Sequence, residues 1–348
     1  MLLPKVTASF SDDIAIDLGT ANTLVHVTGR GIIIDEPSMV AIRTTAGDRE
    51  LVAAGAEAQR IIGRTPEPLE TVRPMRDGVI ADFIATEFML RHFIRRARST
   101  LGLRRPRILI SVPAGATPVE RRAVTETARY AGARKVYLVA EPVAALLGAG
   151  IAVDELPGAM VLDIGGGTTD IAVLTFGKVI TARSLRCAGH AMDDAIIRYV
   201  RRRHHLVIGQ ANAERIKIEA GTASALANGL HVDVHIRGRE LREGKPKSIV
   251  LGPPHVAEAL DDVIGDIAEF VERTLEDLPA STAAEICERG IIMTGGGALL
   301  DRLDEELGRR LGVPFRIAET PMQCVIRGTA MVLEHLSERD HLLLGAET

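Results

Sequence analysis

Two aspartates, Asp17 and Asp163, each follow an apolar run and open a turn rich in glycine and threonine. The first turn reads "DLGTANT" from Asp17, and the second reads "DIGGGTT" from Asp163. Successive glycines let backbone N–H groups converge on one anion, and they remove side chains that would block its approach. An apolar run precedes and follows each turn, so we predict two strand-turn-strand units that bind phosphate groups.

Polar side chains within these turns add hydrogen-bond donors. They are the hydroxyls of Thr20, Thr23, Thr168 and Thr169 and the amide of Asn22. A carboxylate repels phosphate, so Asp17 and Asp163 make chemical sense only with a divalent cation between carboxylate and phosphate. We therefore expect Mg²⁺, held by both aspartates through its bound waters.

A third glycine cluster, "TGGGA" from Thr294 to Ala298, contains no aspartate. We predict that a helix follows it, which suits a nucleoside or its α-phosphate near a helix N-terminus. The dinucleotide fingerprint is excluded for the first two turns because a strand follows each of them, and no Gly-x-x-x-x-Gly-Lys loop occurs. The alternative for any single turn is a tight hairpin without a ligand.

Composition and charge narrow the classes of function. The 348 residues are 46% hydrophobic and 25% charged, with a formal net charge of -4, which argues against nucleic acid as a partner. No apolar run reaches the roughly 18 residues of a membrane span. The three cysteines are widely spaced, as is typical of a reducing compartment. We expect a cytoplasmic protein.

The elements that must position the turns alternate between strand and helix patterns, which predicts an α/β fold. The second turn repeats the pattern of the first, so we expect a duplicated protein with a cleft between its halves. A helical stripe covers 81–99. Thr117, Pro118 and Glu120 are spaced as the N-cap, N1 and N3 residues of another helix.

In order and spacing, these segments resemble the actin/heat-shock ATPase/sugar-kinase superfamily and, within it, the bacterial actin homologues of the MreB family. The resemblance covers 13–336. It rests on segments such as "IAIDLGTANTLV", "VPAGATPVERRAV", "DIGGGTTDIAV", "AERIKIEAG", "ERGIIMTGGGALL" and "CVIRGTA". It implies a duplicated α/β actin-like ATPase fold with ribonuclease-H-like halves, in which two domains of two subdomains each surround a nucleotide cleft.

The resemblance implies ATP or ADP with Mg²⁺ as cofactors and assigns roles to matching residues. The β- and γ-phosphates would lie against Gly19, Thr20, Ala21, Asn22, Gly165, Gly166, Gly167 and Thr168. The adenosine side would be formed by Glu214, Arg215, Ile216 and Lys217, and the far edge by Gly295, Gly296, Gly297 and Ala298. Glu120 and Thr168 would position the attacking water, with Asp17 and Asp163 holding the metal. For Glu120, a capping-box carboxylate is the alternative role.

The resemblance also divides the chain. Subdomain IA would comprise 1–33, 66–148 and 316–348, and IB would comprise 34–65. Subdomain IIA would comprise 149–181 and 254–315, and IIB would comprise 182–253. Two residues depart from the family pattern. Asp170 stands where the family usually has Glu, with little expected effect on binding, and His190 stands where an acidic residue is common.

Arginines surround two leucines, Leu101 and Leu103, in the segment "RRARSTLGLRRPR". Such a loop fits anionic lipid, since each arginine near the surface adds on the order of 1 kcal/mol. The alternative is a solvated basic loop. We expect a slowly hydrolysing ATPase that forms filaments on the inner membrane face with membrane-embedded shape and cell-wall synthesis proteins. The alternatives are a non-polymerising ATPase of the same fold and a small-molecule kinase.

Overall fold

The computed structural model describes residues 13–45, 47–61, 69–98, 105–224, 232–242 and 244–345. Leu101 and Leu103, the core of the predicted membrane loop, lie outside the described residues. The chain forms two compact units. The first comprises Met1–Val112, Ala116–Ala144 and Val325–Thr348, and the second comprises Pro113–Gly115 and Ala145–Cys324.

Strands and helices alternate along the first unit, as the sequence predicts. Its strands are β1 (Ile14–Leu18), β2 (Asn22–Val27), β3 (Gly31–Pro37), β4 (Val40–Thr45), β5 (Asp48–Ala54), β6 (Leu69–Val72), β7 (Met75–Arg76), β8 (Val79–Ile80), β9 (Arg107–Val112) and β10 (Lys135–Ala140). Its helices are α1 (Ala56–Arg60), α2 (Phe83–Ala97) and α3 (Pro118–Tyr130). The chain passes to the second unit within α4 (Glu141–Gly148) and returns at α10 (Cys324–Glu334).

The second unit follows the same alternation. Its strands are β11 (Ala159–Ile164), β12 (Thr169–Thr175), β13 (Lys178–Leu185), β14 (Leu206–Val207), β15 (Val234–Glu240), β16 (Pro246–Leu251), β17 (Ile291–Thr294) and β18 (Phe315–Ile317). Its helices are α5 (Gly189–His204), α6 (Gln210–Ala220), α7 (Pro253–Glu276), α8 (Ala280–Arg289) and α9 (Leu303–Leu311).

The five-stranded sheets of the two units share one strand order. The first sheet runs β10-β9-β1-β2-β3, and the second runs β18-β17-β11-β12-β13. In each unit the first strand pairs antiparallel with the second and parallel with the fourth in the sheet's own sequence order. Both predicted strand-turn-strand segments are therefore confirmed, as is the internal duplication.

Each unit has its own hydrophobic core. In the first, the apolar face of α2 contributes Met89, Leu90, Phe93 and Ile94, all buried together with Ile14 and Ile16 of the sheet. The helix predicted for 81–99 thus forms over Phe83–Ala97, and its N-cap residue Asp82 accepts a hydrogen bond from the Ala85 N–H at 2.9 Å. Burying this face against a sheet is the main source of stability for such a helix.

The core of the second unit is built largely on the long amphipathic helix α7. Its buried residues recur at helical spacing and include Leu260, Ile264, Ile267 and Val271. A smaller sheet consists of β14, β15 and β16, in which β15 and β16 pair antiparallel. A second small sheet, formed by β5, β4 and β6, belongs to the first unit.

Candidate functional site

The first glycine turn connects β1 to β2 and is held by Ser38. The Ser38 hydroxyl donates to the Gly19 carbonyl at 2.6 Å, and its amide donates to the Ala21 carbonyl at 2.9 Å. A Cβ on Gly19 would lie 2.6 Å from the Asn22 carbonyl oxygen, so only glycine fits. Ser38 lies outside the turn, directly after β3. The sequence of the turn alone therefore does not indicate that Ser38 holds it.

The amides of this first turn are available to an anion. Among the described residues, no backbone carbonyl outside the regular elements accepts a hydrogen bond from the N–H groups of Gly19, Thr20 or Ala21. Thr20 is buried, and its hydroxyl accepts the Gly78 N–H at 2.9 Å, which leaves the hydroxyl proton for a ligand. Three unpaired amides and one hydroxyl form the kind of concavity that binds phosphate.

Thr23 does not belong to that concavity. Its side chain is fully buried, and its hydroxyl is hydrogen-bonded to the Ser38 hydroxyl at 2.8 Å. The expectation that Thr23 donates to a ligand is therefore wrong. Its residue type fitted the prediction, but the strand turns its side chain toward the interior.

Asp17 lies within β1, opposite Ser111 of the parallel strand β9. The Ser111 hydroxyl donates to Asp17 Oδ1 at 3.2 Å. Burial raises the pKa of Asp17 to about 7, against the effect of the Ser111 hydrogen bond, and the charge of Asp35 adds to the rise. A dry carboxylate of this kind gains a large electrostatic benefit from a nearby cation.

The second glycine turn connects β11 to β12 and repeats this arrangement. The Gly165 N–H donates to the Thr168 carbonyl at 2.9 Å, which closes the turn. Its outward carbonyls are bound by the start of α5: the Gly189 N–H donates to the Gly165 oxygen at 3.1 Å and the His190 N–H to the Gly166 oxygen at 2.8 Å. The backbone amide of His190, at which the chain departs from the family pattern, thus helps to hold the turn.

The other amides of the second turn take no part in these contacts. Within the described part of the chain, the N–H groups of Gly166, Gly167 and Thr168 donate to no backbone carbonyl outside the regular elements. Thr169, by contrast, is fully buried, and its hydroxyl donates to the Cys187 carbonyl at 2.6 Å. The expectation that Thr169 donates to a ligand is wrong, for the same reason as at Thr23.

Asp163 lies in β11, in register with Thr294 of the parallel strand β17. The Thr294 hydroxyl donates to Asp163 Oδ1 at 2.6 Å, and both side chains are buried. Sequence reasoning missed both hydroxyl partners, Ser111 and Thr294. A signal exists: each is a polar residue in the last two positions of a strand and follows an apolar run.

Asp170 faces Asp163 across the β11–β12 pair. Its Oδ1 accepts the Ala114 N–H at 2.8 Å. Burial raises the pKa of Asp170 to about 6, and the Ala114 hydrogen bond with the nearby hydroxyls of Thr168 and Ser184 acts in the opposite direction. Asp170 therefore holds the 113–115 segment.

Glu120 occupies the N3 position of α3 in a complete capping box, as one of its two predicted roles requires. The Glu120 N–H donates to Thr117 Oγ1 at 3.2 Å, and the Thr117 N–H donates to Glu120 Oε2 at 2.7 Å. The capping prediction is confirmed. Glu120 belongs to the first unit and Thr168 to the second, and a joint action on water stays a prediction.

The segment Glu214 to Lys217 lies on α6, and its side chains point in different directions. Ile216 is fully buried in the core. Arg215 donates to the His235 carbonyl at 2.9 Å and pairs with Glu219 at 3.1 Å. Lys217 pairs with Asp193 on α5 at 2.8 Å, and the Glu214 side chain is exposed.

The third glycine cluster packs against the end of β11. A Cβ on Gly295, whose φ is 79°, would lie 2.3 Å from the Ile164 oxygen, and one on Gly297 would lie 2.3 Å from Ile164 Cγ2. Gly296 has open space instead, and Ala298 is buried. Only one of these three glycines has room for a ligand beside it.

The helix expected after this cluster is present, and a short 3₁₀ helix precedes it. The 3₁₀ helix spans Gly296–Leu299, and α9 begins only at Leu303. Arg302, with a left-handed φ of 57°, separates the two. The close packing of Gly295 and Gly297 on Ile164 requires this tight, irregular path.

No cluster of three or more His, Cys, Asp and Glu side chains suited to a metal occurs within the described residues. That agrees with the donors present. Mg²⁺ is commonly held by one or two carboxylates together with waters and substrate phosphates, not by a protein cage. The half-buried carboxylate of Asp17 and the buried carboxylate of Asp163, each beside unpaired turn amides, fit that mode of binding.

None of the helices that the structure describes has the length and apolar character needed to cross a bilayer.

Two units with one strand order, each carrying an aspartate and a glycine turn at the same place, define the actin-like class of folds. Residues 11–341 match the family model described as MreB/Mbl protein. The chain belongs to the MreB/Mbl family.

Individual relatives cover nearly the whole chain. The cell shape-determining protein MreB of Escherichia coli strain K12 is 48% identical over 336 residues, covering 96% of each chain. The cell shape-determining protein Mbl of Bacillus subtilis strain 168 is 44% identical over 329 residues, covering 94% of this chain and 98% of the relative.

Solved structures agree. The crystal structure of MreB5 of Spiroplasma citri bound to AMPPNP has a TM-score of 0.87 at 34% identity, covering 94% of this chain and 97% of its own. The MamK double helical filament has a TM-score of 0.76 at 20% identity, covering 92% of this chain and 99% of its own, which shows the shared fold.

Proposed function

We propose that this chain is a cytoskeletal ATPase that binds ATP with Mg²⁺ and assembles into filaments on the inner membrane face. The observation that carries the proposal is the matched pair of turns. Each has an aspartate, a hydroxyl partner for it on the neighbouring parallel strand, and three unpaired amides. The relative MreB5 has been crystallised with AMPPNP and with ADP, which supports a nucleotide as the ligand.

On this proposal the two turns bind the β- and γ-phosphates through their amides and the Thr20 hydroxyl. Glu214 and Lys217 lie on the adenosine side, with Gly296 at the far edge of the nucleotide. Asp17 and Asp163 would hold Mg²⁺, which would supply positive charge to the phosphates. Slow hydrolysis requires a carboxylate that orients water, and Glu120 takes that role when its cap opens.

The proposed roles in filament formation and cell shape are inferred from the relatives. Those of E. coli and B. subtilis are called cell shape-determining proteins. We propose the same role here, with a second copy of the chain, anionic lipid and membrane-embedded shape and cell-wall synthesis proteins as partners. The protein would be cytoplasmic and peripheral to the membrane, with Leu101 and Leu103 inserted in the lipid.

Sedimentation with ATP and Mg²⁺, with and without liposomes containing anionic lipid, tests the proposal. Wild-type protein should pellet with ATP, and Asp163→Ala should remain in the supernatant. Asp277→Asn, which removes a surface ion pair with Arg183 in the same unit, is the matched control and should pellet normally. Protein that binds ATP yet never pellets would favour the non-polymerising alternative.

Liposomes test the membrane component separately. A Leu101→Ser/Leu103→Ser double variant should still assemble with ATP, but it should lose co-sedimentation with anionic vesicles. If it binds vesicles as wild type does, the basic loop is merely solvated and the lipid contact lies elsewhere.

A further inference from the structure

A buried ion pair joins α5 to α6 beside the second glycine turn. Asp193 on α5 is 1% exposed, and its Oδ1 lies 2.8 Å from Nζ of Lys217 on α6. The same ammonium donates to the Gly189 carbonyl at 2.9 Å. One cation therefore binds a side chain and a backbone oxygen at the start of α5.

The contacts continue from there into the turn. Gly189, whose carbonyl holds Lys217, donates its N–H to the Gly165 oxygen, and the next amide donates to Gly166. The packing is close at this point: a Cβ on Gly189 would lie 3.2 Å from the Gly165 oxygen and 3.4 Å from Lys217 Nζ. An unbroken series of polar contacts thus runs from Asp193 through Lys217 to the phosphate turn.

This ion pair contributes little net free energy to the stability of the fold. Removing a carboxylate and an ammonium from water costs free energy that their attraction only partly returns. Burial raises the pKa of Asp193, and Lys217 opposes that rise. Apolar residues would join the two helices with less desolvation, so what this pair adds is a fixed geometry for the Gly189 carbonyl and the residues bonded to it.

That geometry decides which atoms the turn presents. With the Gly165 and Gly166 carbonyls bound to α5, the two peptide groups that carry the Gly166 and Gly167 N–H cannot flip, and these two amides stay free. A flipped peptide would instead present a carbonyl oxygen, which repels phosphate. Holding donors in place before the anion arrives is the way such sites gain affinity.

We propose that Asp193 and Lys217 are positioning residues for phosphate binding: Asp193 holds the Lys217 ammonium on the Gly189 carbonyl, and α5 thereby fixes the amide nest of the second turn. The inference rests on the proposed nucleotide function and changes one part of it. Lys217 acts through the turn and not as a direct contact of the adenosine. Asp193, which the sequence did not single out, becomes part of the site.

Two single variants separate positioning from direct contact. Asp193→Asn keeps the Lys217 charge but weakens its anchor, and Lys217→Met removes the cation. Positioning predicts that both lower ATP and ADP affinity on the order of 10- to 100-fold, as outer-shell changes do elsewhere, and leave adenosine affinity unchanged. A direct contact predicts that Asp193→Asn preserves or strengthens binding, and that Lys217→Met weakens adenosine as well.

The measurement is a titration with ATP, ADP and adenosine, read by calorimetry, with a thermal melt of each variant. Asp277→Asn, which removes the acidic side of an exposed Asp–Arg ion pair in the same unit, is the control and should bind nucleotide as wild type does. The double variant Asp193→Asn/Lys217→Gln guards against misfolding, since a neutral hydrogen-bonded pair preserves the fold without a buried charge.

The outcomes are distinct. Loss of ATP and ADP affinity in both single variants, with adenosine unchanged and the melt intact, supports the proposal. Wild-type affinity in Asp193→Asn overturns it and leaves the nucleotide function standing. Failure of wild-type protein itself to bind ATP overturns the proposed function instead.

Discussion

Thr294 donates a hydrogen bond of 2.6 Å to Asp163 from the neighbouring parallel strand. Ser111 does the same for Asp17 at 3.2 Å in the other unit. Each hydroxyl stands opposite its aspartate in strand register, so the duplication extends from strand order to individual side chains. A hydroxyl donor at this place fixes the orientation of the carboxylate.

Removal of the Thr294 hydroxyl should therefore weaken metal-dependent binding. Thr294→Val keeps the shape of the side chain but removes the hydroxyl that donates to Asp163. Loss of a hydrogen bond to a charged group costs about 1–3 kcal/mol. We expect lower ATP affinity in the presence of Mg²⁺ and little change without it. Calorimetric titration in magnesium and in chelator measures both. Equal losses in the two conditions would contradict a role for Asp163 in holding the metal.

Gly19→Ala should disrupt the first turn. The added Cβ would lie 2.6 Å from a backbone oxygen, which cannot move without opening the turn. We expect a loss of about 1–3 kcal/mol in the free energy of unfolding and a loss of ATP binding. Gly265→Ala, within α7 and with only ordinary contacts, should stabilise the protein by about 0.5–1 kcal/mol. Urea titration compares the two, and an unaffected Gly19→Ala variant would contradict the turn geometry.

The two roles of Glu120 can be separated by substitution. Glu120→Gln keeps an acceptor for the Thr117 amide, so the free energy of unfolding should change by less than about 0.5 kcal/mol. Hydrolysis should nevertheless fall at least about tenfold, because the amide orients water poorly. Glu120→Ala should lose hydrolysis and about 0.5–2 kcal/mol of stability. If Glu120→Gln released phosphate at the wild-type rate, helix capping would be the only role left for Glu120.

Asp170 should make the stability of wild-type protein fall as pH rises. Its folded-state pKa of about 6 lies above the ordinary value of 3.8, so its favourable contribution is complete below about pH 4 and lost by about pH 6. Asp170→Asn retains an acceptor for the Ala114 amide without this dependence. Relative to wild type it should gain on the order of 3 kcal/mol between pH 4 and pH 7, measured by urea unfolding. A pH-independent difference would contradict the shift.

Glu306 should have the opposite effect on the pH dependence, so that stability falls as pH falls. Hydrogen bonds from Arg309, then from Arg310, lower its pKa from 4.5 to about 2 in spite of burial. Its contribution is complete above about pH 4.5 and lost as pH falls toward 2. Glu306→Gln should cost about 1–2 kcal/mol at pH 7, since solvent screens the exposed Arg309, and the deficit should shrink by pH 3. An unchanging deficit would show that packing, not charge, sets the effect.

Local patterns in the sequence predicted much of the fold. Glycine and threonine between apolar runs specified both strand-turn-strand segments, and Thr117 with Glu120 specified a capping box that forms as expected. These features depend on residues a few positions apart, whose preferences survive in the folded chain. Repetition of the aspartate turn predicted the duplication for the same reason.

What the sequence could not predict depends on contacts between distant segments. Thr23 and Thr169 were expected to face a ligand, yet strand alternation and packing turn both hydroxyls inward. The glycines at 295 and 297 serve close packing on Ile164, which only the parallel pairing of β17 with β11 brings near. The Asp193–Lys217 pair likewise depends on how α5 packs against α6.

The most direct test of the account is a calorimetric titration of wild-type protein with ATP, and then with AMP, in the presence of Mg²⁺. If the two turns bind the β- and γ-phosphates, ATP should bind far more tightly than AMP, and Asp163→Ala should abolish the difference. Equal affinity for ATP and AMP would mean that the turns do not bind phosphate, and it would contradict the account at its centre.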